Sequence, residues 1–217
     1  MTTASADIID LLAGIRPGDA LSHVRDARAQ ARENAQRSFE ALLEPAVAGS
    51  FPLAERYAVA AFVAELHGFA QAVDFYRDLL DDEAASLTPA VAAAADSARA
   101  QGPYGRYREP VLRSEDLDGP RWSPEPVTAE ALGDRLSAAL AHAHLLVFRP
   151  REARPEHLRA LVAAGWSADD IISLSQLIAF LAFQLRSAWA LRVIAAHPVA
   201  AHQVAAAVPA SVEGATS

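Results

Sequence analysis

The sequence contains no cysteine and no lysine, and its single methionine is Met1. Without cysteine there is no disulfide, no thiol nucleophile and no Cys-ligated zinc, and the redox compartment is left undetermined. All 19 basic residues are arginine. Beside the abundance of alanine, this reads as the codon bias of a GC-rich bacterium. The net charge of −8 argues against nucleic acid or an anionic membrane surface as a partner. Alternating strand patterns are nearly absent. There is no Gly-rich phosphate loop, no Ser-His-Asp set and no basic patch with interleaved aromatics, so no cofactor is expected. The opening stretch MTTASADIID carries acids and no basic residue, unlike a secretory signal. The most apolar stretch, IISLSQLIAFLAFQL, is shorter than the ~20 residues that span a bilayer, and Arg186 follows it directly. The expectation is a buried helix in a soluble, cytoplasmic protein.

What the chain does have is helical periodicity and, at 52% hydrophobic residues, enough apolar side chain for a large core. In 19–43 the residues Ala20, Val24, Ala27, Ala31, Ala35 and Phe39 recur at three- and four-residue steps, which predicts one helix. Arg25, Arg28 and Arg32 lie off that stripe and read as a solvated face. A helix from about Pro52 to His67 should end with Gly68 as its left-handed C′ residue. Another covers roughly 70–82. Thr88-Pro89 opens an Ala-rich helix to about residue 100. Residues 101–127 are rich in Pro and Gly and form a long loop of the kind that is often functional or interfacial. A helix follows from about Thr128 to Phe148, then a short one from Pro155 to Ala164. In GWSADDI, Gly165 stops that helix and Ser167 caps the next, with Asp169 and Asp170 in its first turn, where the dipole favours acids. The last helix, about 168–196, is apolar almost all round and is expected to be central. Pro198 should end it. The organisation expected is all-α: a helical extension over 1–50, one helical domain over 51–200, and a tail over 201–217.

Two stretches carry a family resemblance. FPLAERYAVAAFVAELHGFAQAVDFY resembles the core helix pair of the carboxymuconolactone decarboxylase/AhpD-like superfamily. ALAHAHLLVFRPREARPEHLRALVAAGWSADDIISLSQLIAFLAFQLRSAWAL is similar to the C-terminal half of its peroxidase-related members, and Arg186 sits where that family has an Arg. The resemblance covers roughly residues 52–80 and 138–192 and extends to a cysteine-free branch of the superfamily. It implies the AhpD-like helical fold and a homo-oligomer. In AhpD-like peroxidases a Cys-x-x-Cys opens the second helix of the pair, a His follows, and an upstream Glu relays protons. A helix N-terminus lowers the first thiol's pKa, and the second cysteine resolves the sulfenate. Aligned on Gly68, the cysteine positions fall at Phe69 and Ala72, the His at Tyr76 and the Glu at Tyr57. All four are replaced, so thiol peroxidase activity is expected to be absent.

Other polar residues near these motifs have two readings each. His67 at a helix end is favourable to the dipole, or serves as a general acid or base beside the former redox turn. Tyr76 packs its ring, or donates a proton in a pocket there. Glu65, two residues from His67, points to another face. Gln184 and Arg186 interrupt the apolar helix; a buried Arg there pairs with another helix or subunit, or anchors an anion such as a carboxylate. His142 and His144 are two apart and diverge by about 160°, since each residue turns ~100°, so no metal site is expected. The sequence therefore predicts an oligomeric binding or accessory protein. The rival is a cysteine-independent oxidoreductase or lactone-decarboxylase-type enzyme with a pocket at 67–76. A small carboxylate or lactone would be its ligand, with no nucleic acid and no membrane as partner.

Overall fold

The computed structural model describes residues 7–197, and these are all-α. Nine α-helices are present and no β-strand is; the one bridge pairs Gly105 with Leu117. The helices are α1 (Ile8–Ala13), α2 (Ala20–Asp26), α3 (Ala29–Leu43), α4 (Leu53–His67), α5 (Ala70–Ala84), α6 (Thr88–Ala98), α7 (Pro126–Phe148), α8 (Pro155–Ala163) and α9 (Ala168–Ala195). The chain forms two compact units. One comprises residues 1–41 with 183–217, the other 42–182. These units are divided at 41 and 182. Pro198 and the tail over 201–217 lie outside the described residues.

In the first unit, the helix expected over 19–43 is two, because the chain leaves helical geometry between Asp26 and Ala29. Long-range charge pairing accompanies the break. Arg25 reaches Asp7 and Asp10 at 2.6 Å, and Arg32 bonds Asp10 and Asp26. Arg25 and Arg32 are thus not a solvated face: they neutralise two acids that α1 buries. Asp7 also caps α1 by accepting the Asp10 N–H at 3.0 Å.

In the second unit, α4 packs on α5, α6 and α7. Its residues Arg56 to Ala64 are buried without interruption. Six of those nine side chains are alanine or valine, so neighbouring helices can approach on every side. This makes α4 the central helix of the unit, a place the hydropathy pattern gave to α9. The turn after it is as read: Gly68 has φ +65° and donates to Ala64 and Glu65.

Helix α9 buries one stripe, including Leu174, Leu177, Leu181, Leu185 and Ala188, and exposes Ile172, Trp189 and Val193. At 28 residues, Ala168–Ala195, it matches the expected span of about 168–196. It is the one described helix long and apolar enough to cross a membrane by length and composition, and 33% of its most apolar window is buried.

The GWSADDI turn folds as its residues dictate. Gly165 has φ +90°, and Ser167 Oγ accepts the Asp170 N–H at 3.1 Å. Arg135 of α7 locks this turn. It donates to Glu55 at 2.9 Å, to the Gly165 carbonyl at 2.7 Å and to the Ser50 carbonyl at 2.8 Å, and it stands 3.5 Å from Asp170. Its guanidinium lies 4.0 Å from the centre of the Trp166 ring, whose Nε1 donates back to the Arg135 carbonyl. Burial raises the Asp170 pKa, but hydrogen bonds from Ser167 and Ser50 and the Arg135 charge outweigh it, and the net shift is downward.

Candidate functional site

A cavity of about 650 Å³ opens where the loop 101–127 meets the C-terminal end of α7 and the start of α8. That volume suits a small organic ligand. Every lining residue belongs to the unit 42–182. From α7, Ala138, Ala141, His142 and Leu145 line it at helical spacing, followed by Arg149 just after the helix, and the two alanines leave room that larger side chains would fill.

Loop and helix end are joined by specific bonds. The buried Arg149 guanidinium donates to the Gly119 and Pro120 carbonyls and pairs with Glu152. The Tyr104 N–H donates to the Phe148 carbonyl at 2.6 Å. Arg151 covers the Tyr107 ring at 3.6 Å and bonds its hydroxyl. Trp122 lies 5.2 Å from Phe62 and 5.6 Å from His144, ring to ring, and its Nε1 donates to Ser97 Oγ at 3.0 Å. Gly119 is required here, since a Cβ would overlap the Tyr104 ring. Gly119→Ala should therefore cost about 1–3 kcal/mol in urea denaturation. The exposed neighbour change Ser123→Ala should stay within about 0.5 kcal/mol.

The electrostatics of the cavity contrast with the acidic chain. Five arginines line it (Arg106, Arg121, Arg149, Arg151 and Arg154) against three acids, Asp118, Glu152 and Glu156. Arg149 and Arg151 are committed to the loop. Arg106, Arg121 and Arg154 are exposed, which puts them at the mouth. Hydrogen bonding and charge from Arg149 hold the Glu152 carboxyl below the usual carboxylate range, so it stays ionised.

His142 and His144 form the buried side of the cavity, at 6% and 2% exposure. Burial depresses both to a pKa of about 4, helped by the charge of His157 for the first and of Arg149 for the second, where an Ala98 backbone hydrogen bond opposes. Both rings are therefore neutral at pH 7. His142 Nε2 lies 3.2 Å from Ser175 Oγ, while His142 Nδ1 and His144 Nε2 are buried without a hydrogen-bond partner. The helical divergence of the two residues was expected to separate them. They nonetheless line the same cavity, because the loop wraps round the helix end. Among the described residues no three His, Asp or Glu side chains are grouped closely enough to hold a metal.

The turn at 67–76 has a different character. Tyr57, Phe69, Ala72 and Tyr76 are all buried, Ala72 and Tyr76 completely. Tyr76 packs edge-on against Phe75 with ring centres 5.1 Å apart. His67 is half-buried, and its Nδ1 stands 2.9 Å from the Val63 carbonyl. A shallow groove of about 330 Å³ runs beside the turn, around the Glu65 carboxylate and its partners Arg77 and Arg99, and neither His67 nor Tyr76 lines it. Gln184 and Arg186 belong to the other compact unit; Gln184 is buried, and Arg186, expected to be buried, is exposed. Sequence reasoning flagged the 101–127 loop by its Pro and Gly but missed Trp122 and Arg149, whose roles depend on where that loop folds. The chain matches no family model, no curated protein and no solved structure.

Proposed function

We propose that the chain is a thiol-free member of the AhpD/CMD-like superfamily that binds a small organic anion in the cavity over α7 and carries out no thiol peroxidase chemistry. The observation that carries this is the set of five arginines around one 650 Å³ cavity in a chain of net charge −8. Set against the three acids of the lining, they leave a surplus of positive charge that favours an anion entering the cleft. The absence of cysteine, together with the apolar side chains at Phe69 and Ala72, supports the lack of peroxidase activity. The protein acts in the cytoplasm as a homo-oligomer, and the exposed Ile172, Trp189 and Val193 of α9 support a role for that helix in assembly.

A second reading, acid–base catalysis without cysteine, draws support from the imidazoles of His142 and His144 beside the cavity, which are unprotonated at pH 7 although their lowered pKa makes them weak bases. It has less support at His67 and Tyr76, since Tyr76 is wholly inside the core.

The anion reading is tested by titrating hexanoate and 2-naphthoate calorimetrically. At least one should bind, more weakly at high salt, and Arg106→Gln should weaken it several-fold. No binding of either acid rejects the reading. The same preparation should show no reduction of cumene hydroperoxide by dithiothreitol above the buffer rate. Light scattering at micromolar concentration should give more than the 23.0 kDa of one chain; a monomer mass rejects the assembly.

A further inference from the structure

The cavity walls differ in kind, and the difference narrows the ligand. At the mouth, Arg106, Arg121 and Arg154 are exposed cations. Among the described residues, Arg106 and Arg154 make no ion pair within 4.0 Å to any ordered carboxylate, and Arg121 has only Glu152 at 3.8 Å. They are available to an anion in a way that Arg149 and Arg151 are not. The side wall is aromatic: Trp122 is half-buried, backed by Phe62, and adjoins the His144 ring, which packs against Phe148 at 5.0 Å. Such a wall takes a flat ring by offset stacking. The buried end is polar and unsatisfied. His142 Nδ1 and His144 Nε2 each lack a hydrogen-bond partner, on side chains more than nine-tenths buried.

Leaving a buried polar atom unpaired costs free energy in the empty protein. A ligand that supplies the missing hydrogen bond recovers that cost, and one that does not leaves it in place. Both side chains line the cavity, so a turn of either ring about χ2, a soft torsion, can bring its nitrogen to a guest. A hydroxyl fits either case, because it can donate to a bare imidazole nitrogen or accept from a protonated one.

From these three walls we infer that the ligand is a hydroxylated aromatic acid. Its carboxylate meets Arg106 and Arg154 at the mouth, its ring lies along Trp122, and its hydroxyl meets the unpaired imidazole nitrogen of either His142 or His144. This rests on the anion-binding reading above and adds to it the ring and the hydroxyl.

Four probes separate the contributions: 6-hydroxy-2-naphthoate, 2-naphthoate, hexanoate and 2-naphthol, each titrated calorimetrically into the full chain. The hydroxy acid should bind about fivefold to tenfold tighter than 2-naphthoate, the size of one net hydrogen bond. Hexanoate should be weaker than 2-naphthoate, and 2-naphthol should lose the salt dependence. His142→Phe and His144→Phe keep a ring and remove the nitrogens. At least one of them should erase the advantage of the hydroxyl, read as the ratio of the two naphthoate affinities within the same variant, because each change also removes a bonded nitrogen, His142 Nε2 from Ser175 or the His144 ring from the Ala98 backbone. Arg154→Gln, at an exposed position, should weaken both acids equally. Equal affinity for the two naphthoates, or an advantage that survives both histidine changes, overturns the hydroxyl assignment. Hexanoate binding as well as 2-naphthoate overturns the ring. Either result leaves the anion-binding reading standing, whereas failure of all three acids removes both.

Discussion

Arg135→Ala should lower the stability of the chain by about 3 kcal/mol, read as a drop in the urea midpoint with little change in slope. For a chain of this size that corresponds to a melting temperature about 6–12 °C lower. The reason is the number of groups that share this guanidinium. It is the partner of Glu55, it bonds two backbone carbonyls that have turned away from helical ladders, and it covers the Trp166 ring. Removing it leaves Glu55 half-buried without its cation. Burial already pushes that carboxyl's pKa up, and the Arg135 hydrogen bond and charge are the main opposing influences. Glu55→Gln in the Arg135→Ala background should recover part of the loss, because the uncompensated charge is then gone. A loss under about 1 kcal/mol for Arg135→Ala would show that water replaces the guanidinium without cost.

Acidification from pH 6.5 towards 4 should destabilise the fold by an amount on the order of 3 kcal/mol per buried imidazole. The sign follows from which state binds protons first. His142 and His144 titrate near 4 in the folded chain and near 6.5 when exposed. Between those values the unfolded chain takes up protons that the folded chain refuses, so stability rises with pH across the window. It is fully present above 6.5, lost as pH falls, and level below about 4. Glu55 and Asp10, whose carboxyls burial pushes up, act in the opposite sense and return a part of it at the acid end. Urea midpoints measured at several pH values should show the slope, and the pair of changes His142→Phe and His144→Phe should flatten it. Histidine C2-proton shifts that titrate near 6.5 for both residues would contradict the burial on which the prediction stands.

What could be read in advance was what is decided within a few residues. The Gly68 turn and the Ser167 cap are local: one residue supplies a left-handed φ, the other an oxygen three residues from the N–H it accepts. The break between α2 and α3 is different. Its periodicity predicts one helix, and the acids accompanying the break stand up to 25 residues upstream, at Asp7 and Asp10. Hydropathy could not rank α4 and α9. Both are apolar, yet α4 is made of small side chains that admit neighbours all round, whereas α9 keeps Ile172 and Trp189 on the outside. The cavity was least legible. Helix geometry correctly separates His142 from His144, but a wall supplied by residues 101–127 encloses both, and no spacing within α7 reports that wall.

The loop's attachment has a kinetic side. It is held to the helices by a handful of bonds, the Tyr104 N–H to Phe148, the Arg149 guanidinium to Gly119 and Pro120, Arg151 to Gly105 and Tyr107, and Trp122 to Ser97, and internally by the Gly105 N–H to Leu117. A segment fastened at so few points opens as a unit far more often than the helices beneath it unfold. In native-state hydrogen exchange, the amides of Tyr104 and Gly105 should therefore share one protection factor, well below that of α4. The two amides form a clock for the opening of the cavity wall, readable without any ligand being known.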